Sequence, residues 1–436
     1  MIHENKKHIH FIGIGGIGMS GLARFWLHEG ALVSGSDINK SELTKALERE
    51  GATVYYEQVP ENIFGQRETS DVSRIDLVVY TEAMAHEHPE LVAARERGIE
   101  TINYFEALGR VANEYYLIAV AGSHGKSTTT AMLIDILEAA ELDPTAIVGT
   151  LRSKTGSNFR AGKSKYAIVE ACEYKRDFLH LKPDVLVITN IDHEHVDYYP
   201  TLLDVQDAFQ TFAAVVPEAG AIIVNAIDPH VVPILSGLSA TVIDYRKEIS
   251  LTLPLKLPGL HNRQNAAAAK AAALFLGIEA GVIDEALKNF AGTWRRFEYR
   301  GTCNGAIIYD DYAHNPQKVA AAMAGTRELY PDKKLTVVFQ PHTYSRTKVL
   351  FAPFVESLEK ADRVVLLPIY AAREDFDGSV SSVMLKDELQ KRGVQAEHFE
   401  SIDTVVPALR ESINVDDVVL CVGAGSVTKV ADLLTK

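Results

Sequence analysis

The sequence predicts an α/β protein built as three domains, and three observations carry that reading. The chain has 436 residues, more than one hydrophobic core supports, and at roughly 150 residues per domain this makes about three. Short apolar, β-branched runs such as Leu77-Val-Val-Tyr80, Tyr166-Ala-Ile-Val-Glu170 and Val185-Leu-Val-Ile188 lack polar alternation, as strands do when a parallel sheet is covered on both faces. Helical patterns alternate with these runs along the whole chain, an order that layers helices on a mostly parallel sheet. The expected divisions are residues 1–114, 115–294 and 295–436.

The first domain opens with His8-Ile-His-Phe-Ile-Gly13-Ile-Gly15-Gly16-Ile-Gly18, then a helical stretch to about His28, then Ala31-Leu-Val-Ser-Gly-Ser-Asp37. This reads as strand, Gly-rich phosphate turn, helix and strand, with Asp37 where a dinucleotide fold holds a ribose. Further alternation runs through Leu77–Tyr80 and a helix over Glu90 to Arg97.

The second domain carries the most informative stretch, Ile118-Ala-Val-Ala-Gly-Ser-His-Gly-Lys-Ser-Thr-Thr-Thr130. An apolar strand, a Gly-rich loop and a Lys-Ser-Thr helix start describe a triphosphate cradle and predict an ATP user. Backbone N–H groups of Gly122, Ser123, His124 and Gly125 can face phosphate oxygens, Lys126 can reach the β/γ-phosphates, and Ser127 can ligate Mg²⁺. Val120 stands where the common eight-residue loop has glycine, so the match is to the shorter G-x-x-G-K-[ST] form. The helix runs to about Glu141, and the strands Tyr166–Glu170 and Val185–Asp192 end in carboxylates and imidazoles, placed to surround a nucleotide at the carboxyl edge of a sheet. An Ala-rich helix is expected over Asn265–Leu276. The cationic run with Arg152, Lys154, Arg160, Lys163 and Lys165 reads as a loop, solvated or steering phosphates.

A junction at Gly292-Thr-Trp-Arg-Arg296 leads into the third domain. Strand-like Ala306–Asp310, Leu335–Phe339, Val364–Pro368 and Val418–Val422 alternate with helical patterns there, predicting another parallel sheet.

Composition agrees with a globular chain, at 47% hydrophobic and 23% charged residues. A net charge of −14 speaks against general affinity for nucleic acid or anionic membranes and leaves small molecules as the expected partners. Cys172, Cys303 and Cys421 are odd in number and widely spaced, which fits a reducing compartment. With no signal-peptide pattern after Met1 and no apolar run of bilayer length, a cytoplasmic protein is expected. No oligomeric state follows from these features.

The order of motifs narrows the reading. I-H-F-I-G-I-G-G-I-G-M-S-G, S-G-S-D, G-S-H-G-K-S-T-T-T, P-G-x-H-N-x-x-N, R-R-F, D-D-Y-A-H-x-P and F-Q-P-H-x-Y-S-R-T follow one another, and in that order the chain resembles, essentially end to end, the Mur ligases of peptidoglycan synthesis. The resemblance implies a Rossmann-like UDP-binding domain, a central P-loop ATPase-like domain and a Rossmann-like domain for the amino acid. It implies ATP and Mg²⁺ as cofactors, and UDP-N-acetylmuramate and L-alanine as substrates. The substrate carboxylate would take a phosphoryl group from ATP, and the amino-acid amine would attack the acyl phosphate. Such chemistry rests on charge neutralisation and positioning.

Residue by residue, the resemblance implies Ser127, Glu170, Glu173 and His195 at the metal, with Asp197 nearby, and Thr128 beside Ser127. His261, Asn262 and Asn265 would meet the adenine and ribose side of the nucleotide, although Asn262 also suits a helix cap. Arg296 would reach the phosphates, a task fitted to its fork, while Arg295 reads equally as a surface charge. Asp310 or Asp311 would contact ATP, Tyr312 and His314 would face the reacting groups, and His342 and Arg346 would receive a substrate carboxylate. Gly15, Gly16 and Gly18 would cradle the UDP diphosphate, with Ser20 and Asp37 nearby. Against the family pattern the chain has Cys172 for Asp, Glu194 for Asp, Thr343 for Arg, Ser426 for Asp, and a different Tyr370-Ala-Ala-Arg-Glu-Asp375 run. Three other readings stay open: a ligase recycling a murein peptide onto the same acceptor, a nicotinamide dehydrogenase suggested by the first Gly-rich turn, and a non-catalytic UDP-sugar or ATP sensor.

Overall fold

The computed structural model describes residues 6–64, 74–85, 87–372, 374–376 and 378–436. Met1 to Asn5 and Arg373, which entered the sequence reading, lie outside them. The chain forms two compact units, residues 1–254 with 264–290, and residues 255–263 with 291–436.

The first unit holds two sheets. One has the strand order Thr53–Tyr55, Leu32–Ser36, His8–Ile12, Leu77–Tyr80, Glu100–Asn103, all parallel. His8–Ile12 is central, so the Gly-rich turn leaves the carboxyl edge of the middle strand and feeds the helix Ile17–His28. The other sheet has seven strands, ordered Thr241–Asp244, Ala221–Val224, Val185–Ile188, Tyr116–Ala121, Tyr166–Glu170, Thr145–Arg152, Ser157–Arg160. Tyr116–Ala121 pairs in parallel with both Val185–Ile188 and Tyr166–Glu170, which brings the segments after all three strands to one edge. One apolar cluster runs through both sheets, from Phe11 and Leu22 through Leu117 and Ile188 to Phe209 and Phe212.

The Arg152–Lys165 stretch, read as a loop, is largely a hairpin: Thr145–Arg152 and Ser157–Arg160 pair antiparallel across a turn. Its cations are not free to steer phosphates. Arg152, 3% exposed, pairs with Asp135 and Glu138, Lys154 reaches Glu138 at 2.7 Å, and Arg160 reaches Glu138 and Asp143 at 2.7 Å each. The acids of the helix Lys126–Ala139 and the residues after it neutralise them, which sequence spacing alone does not reveal. The same hairpin holds the helix Ile17–His28: Asn158, fully buried, donates to the Ile17 carbonyl and to Ser20 Oγ at 2.9 Å, and accepts from Arg24.

The second unit has a six-stranded sheet ordered Glu298–Cys303, Ala306–Asp311, Asp417–Val422, Lys334–Phe339, Arg363–Leu366, Gln395–His398. It is parallel except at one edge, where Glu298–Cys303 runs antiparallel to Ala306–Asp311. The wholly parallel sheet expected from the alternation is therefore corrected there, because a short turn at Asn304 and Gly305 returns the chain directly as a hairpin. The helix expected from Asn265 starts earlier, at Leu260, and runs to Phe275. No described helix is long and apolar enough to cross a membrane.

Candidate active site

In the first unit the loop between Tyr116–Ala121 and Lys126–Ala139 is stitched to the next strand's end. Ser123 N donates to the Asn190 carbonyl at 3.1 Å, and His124 N to Asn190 Oδ1 at 2.9 Å. Asn190 Nδ2 returns a bond to the His124 carbonyl at 3.0 Å. Asp192 N donates to Ser123 Oγ at 2.8 Å. These bonds fix the loop before any ligand arrives. Gly125 caps the helix at φ +84°, and a Cβ there would stand 2.2 Å from Asn265 Oδ1, so only glycine lets Asn265 lie against the loop. Asn265 thus sits at the phosphate cradle.

Lys126 Nζ lies 2.9 Å and 3.1 Å from the two Glu173 oxygens and also donates to the Gly122 carbonyl. Ser127 Oγ donates to Glu170 Oε1 at 2.9 Å, and the Gly149 N–H donates to Glu170 Oε2 at 2.8 Å. Glu173 is 2% exposed. Burial alone would raise its pKa, but the Lys126 ammonium and a His195 hydrogen bond hold it at about 2. His195 Nε2 stands 3.4 Å from Glu173 Oε1, on a backbone turned to φ +56°, a conformation a non-glycine residue adopts only under tertiary constraint. Glu173, Glu194 and His195 bring ligand atoms within 4.8 Å of one another. Oxygen and imidazole donors of this kind fit a divalent cation beside a triphosphate. Glu194 was read only as a neighbour of the histidine, and Asp197 instead accepts from the Tyr174 hydroxyl at 2.7 Å. His124 Nε2 meets Asp192 Oδ2 at 3.0 Å. Cys172, between the two glutamates, has its thiol pushed up to about 12 by burial and by Glu173, so it is protonated and no nucleophile.

At the first sheet, Gly15 N donates to Asp37 Oδ2 at 2.9 Å and Asn39 N to Asp37 Oδ1 at 2.9 Å. Asp37 therefore shapes the Gly-rich turn. Gly16 is the helix N-cap, with no side-chain cap, leaving a first turn without acidic residues and suited to an anion. Ser20 does not face that turn as a free hydroxyl. It is fully buried, donates to the Ile17 carbonyl at 3.0 Å and accepts from Asn158, and its expected substrate contact is corrected to a packing role.

The second unit assembles Arg296, Tyr312, His314, His342 and Arg346. Arg296 lies 5.4 Å from the Tyr312 ring centre, the His314 and His342 rings are 6.4 Å apart, and Arg346 Nη1 is 3.0 Å from His342 Nδ1. Burial, with the charges of Lys318, Arg346 and Arg296, pushes His314 down to about 3, leaving a neutral imidazole among cations. Tyr370 stacks on His342 at 5.7 Å. Of the residues that depart from the family pattern, Thr343 caps the helix Tyr344–Val349, and Ser426 bonds Gln340 at 3.3 Å.

Two expectations change in this unit. Arg295, read as equally a surface charge, is 4% exposed: Nε donates to Asp310 Oδ2 at 3.1 Å, Nη1 to the Gly425 carbonyl at 3.2 Å, and Nη2 to the Gly423 carbonyl. Asp310 is fully buried and its Oδ2 also accepts from the Thr428 hydroxyl at 2.6 Å, so the carboxyl is enclosed in the sheet and its expected ATP contact is corrected to an internal tie. The segment after Asp417–Val422, far along the chain, supplies the Gly423 and Gly425 carbonyls that hold Arg295 in this pair. Asp311 is partly exposed and accepts from Phe297 N at 2.7 Å and Ala313 N at 2.8 Å. His261 is exposed, while Asn262 is buried with Nδ2 on the Pro258 carbonyl at 2.7 Å, the local helix-start role left open for it.

Comparison with known proteins follows this geometry. Family models described as "Mur ligase family, catalytic domain", "Mur ligase middle domain" and "Mur ligase, glutamate ligase domain" match residues 8–116, 120–248 and 295–425. The chain is 40% identical to the UDP-N-acetylmuramate–L-alanine ligase of Clostridium novyi (strain NT), over 99% of this chain and 98% of that protein. It is 38% identical to the enzyme of the same name from Caldanaerobacter subterraneus subsp. tengcongensis, over 98% and 97%. Among solved structures, the UDP-N-acetylmuramate–alanine ligase of Thermotoga maritima superposes with TM-score 0.82 at 27% identity, covering 98% of each chain. A murein peptide ligase of Psychrobacter arcticus shares the fold with TM-score 0.70 at 22% identity, covering 99% of each.

Proposed function

The chain belongs to the Mur ligase family, and on that premise we propose how it works. It is an ATP-dependent ligase that joins L-alanine to the lactyl carboxylate of UDP-N-acetylmuramate in peptidoglycan precursor synthesis, giving ADP and phosphate. The observation that carries the reading is near-complete coverage, at 40% and 38% identity, by two enzymes of that one name. The fold is the family's three-domain architecture. Our boundaries for it are 1–114, 115–294 and 295–436, and the three free thiols suit a cytoplasmic setting.

In this mechanism the loop of Gly122, Ser123, His124 and Gly125 cradles the triphosphate, with the Ser123 and His124 N–H groups, expected to face phosphate, held instead on Asn190, and Lys126 leaves Glu173 for the β/γ-phosphates. Ser127, Glu170, Glu173 and His195 would hold Mg²⁺, whose charge offsets that of the phosphates; Thr128 supports Ser127. Asn265 backs the loop; His261 and Asn262 would meet the nucleoside, and Asp311 and Arg296 are the second unit's own candidates for the nucleotide. Arg296 offsets charge as the lactyl carboxylate takes the phosphoryl group. Arg346, oriented by His342, binds the carboxylate of the amino acid, with Tyr312 beside it. His314, neutral across the working pH range, faces the reacting groups as an uncharged imidazole. Gly15, Gly16 and Gly18 receive the UDP diphosphate on the turn that Asp37 shapes.

The test is ADP release with purified protein, ATP and UDP-N-acetylmuramate, offered L-alanine, L-serine, glycine or a tripeptide. ADP should form with L-alanine and require the sugar nucleotide. Release only with the tripeptide would make this a recycling ligase, and turnover of a nicotinamide cofactor without ATP would sink the ligase reading.

The metal assignment has its own test. His195→Ala should raise the Mg²⁺ concentration needed for half-maximal rate by about tenfold or more, with partial recovery at high Mg²⁺. An unchanged Mg²⁺ response would make His195 a structural residue.

A further inference from the structure

Tyr104 opens the helix Tyr104–Ala112, and a capping box fixes it there: Asn103 Oδ1 accepts from Glu106 N at 2.8 Å, and Glu106 Oε2 accepts from Asn103 N at 2.8 Å. The ring is laid directly on Gly18. A Cβ on that glycine would stand 2.6 Å from Tyr104 Cζ and 2.8 Å from its hydroxyl. Gly18 is the second residue of the helix Ile17–His28, so the phenol edges the bare first turn after the Gly-rich loop.

Tyr104 is also within electrostatic reach of Glu170 and Cys172. Burial first, and then those two groups, raise its pKa. The hydroxyl is a donor at any working pH. No described residue accepts from it, and Tyr104 is only partly buried. Glu170 is not its partner: the Glu170 oxygens accept from Ser127 and the Gly149 N–H, and Tyr104 does not bond either of them. A partly buried hydroxyl that no protein group satisfies is ordinarily met by water or ligand.

We propose that Tyr104 is a substrate-binding residue whose hydroxyl donates a hydrogen bond to the diphosphate of the UDP-sugar as it passes from the Gly-rich turn toward the Lys126 and Glu170 side. The assignment rests on the function proposed above, which requires one substrate to reach both places. It differs from a packing role in one respect: packing on Gly18 needs the ring, and recognition needs the oxygen.

Tyr104→Phe separates the two, since it keeps the ring. Calorimetric titration of the full chain with UDP-N-acetylmuramate and with UDP alone should show each dissociation constant raised about tenfold or more, as for a lost hydrogen bond to a charged group. The KM for the sugar nucleotide should rise in step, with the KM for ATP and the melting temperature unchanged. Equal binding by Tyr104→Phe and the parent would overturn the proposal in favour of packing. A loss confined to the full sugar nucleotide, with UDP binding intact, would overturn the diphosphate assignment. A parent protein that fails to bind UDP-N-acetylmuramate would overturn the proposed function and this inference with it.

Discussion

Lys126→Ala is expected to lower the rate of ADP formation by on the order of a hundredfold or more, about 2.7 kcal/mol on the barrier. The charge it removes is the one the loop aims at the transferring phosphoryl group. The structure adds a second consequence. Lys126 is the ammonium that holds Glu173, 2% exposed, in its ionised form. Without it Glu173 keeps the His195 contact beside the Glu194 carboxylate, and its carboxyl shifts upward, toward the protonated form. Some loss of stability therefore accompanies the loss of rate, and a second variant divides them. Lys126→Ala with Glu173→Gln removes the orphaned charge and should recover melting temperature without recovering turnover. Near-normal turnover in Lys126→Ala would mean that the loop is not the triphosphate cradle.

Arg295→Leu should produce the largest stability change in the second unit, about 3–5 kcal/mol, the usual cost of breaking a buried ion pair by removing one partner. Asp310, the Gly423 and Gly425 carbonyls and the sheet edge all depend on that guanidinium. The cost should grow with pH. Burial already raises Asp310 to about 6 despite Arg295; without Arg295 it rises further. Below that range the carboxyl is neutral in both proteins and the difference is small. Above it the parent holds a paired carboxylate, while the variant must bury an unpaired one or keep its proton at a cost. Hydrogen exchange of the Asp417–Val422 amides, followed from pH 5 to pH 8, checks this. Unchanged protection at every pH would show that Arg295 is no internal tie.

Much of the fold and part of the site are legible in the sequence, for local reasons. Strand Tyr166–Glu170 is bounded as the apolar run predicts, and the helix expected from Ser127 to about Glu141 runs from Lys126 to Ala139. In the 190–197 run His, Asp and Glu stand together in sequence, but only folding shows that Glu194 and Glu173 bring ligand atoms within 4.8 Å of His195 while Asp197 turns to Tyr174. Tyr104 and Asn158 gave no signal, since each matters through a neighbour far along the chain: Gly18 for one, Ile17 and Ser20 for the other.

The sequence by itself determined the α/β class, many of the strands and helices, the Gly-rich loop motif, the family and hence the reaction, because periodicity, turn chemistry and motif order are properties of contiguous residues. The tertiary structure alone decided which charges meet. Strand order in these sheets is not chain order, so Lys126 meets Glu173, Glu170 meets the Gly149 amide, and the Arg152 cations are spent on the helix behind them. Arg295 and Asp310 look as exposed in the sequence as Arg296 and Asp311 do. Burial separates them, because the turn after Asp417–Val422 supplies the carbonyls that hold Arg295 on Asp310, and the other pair stays partly open.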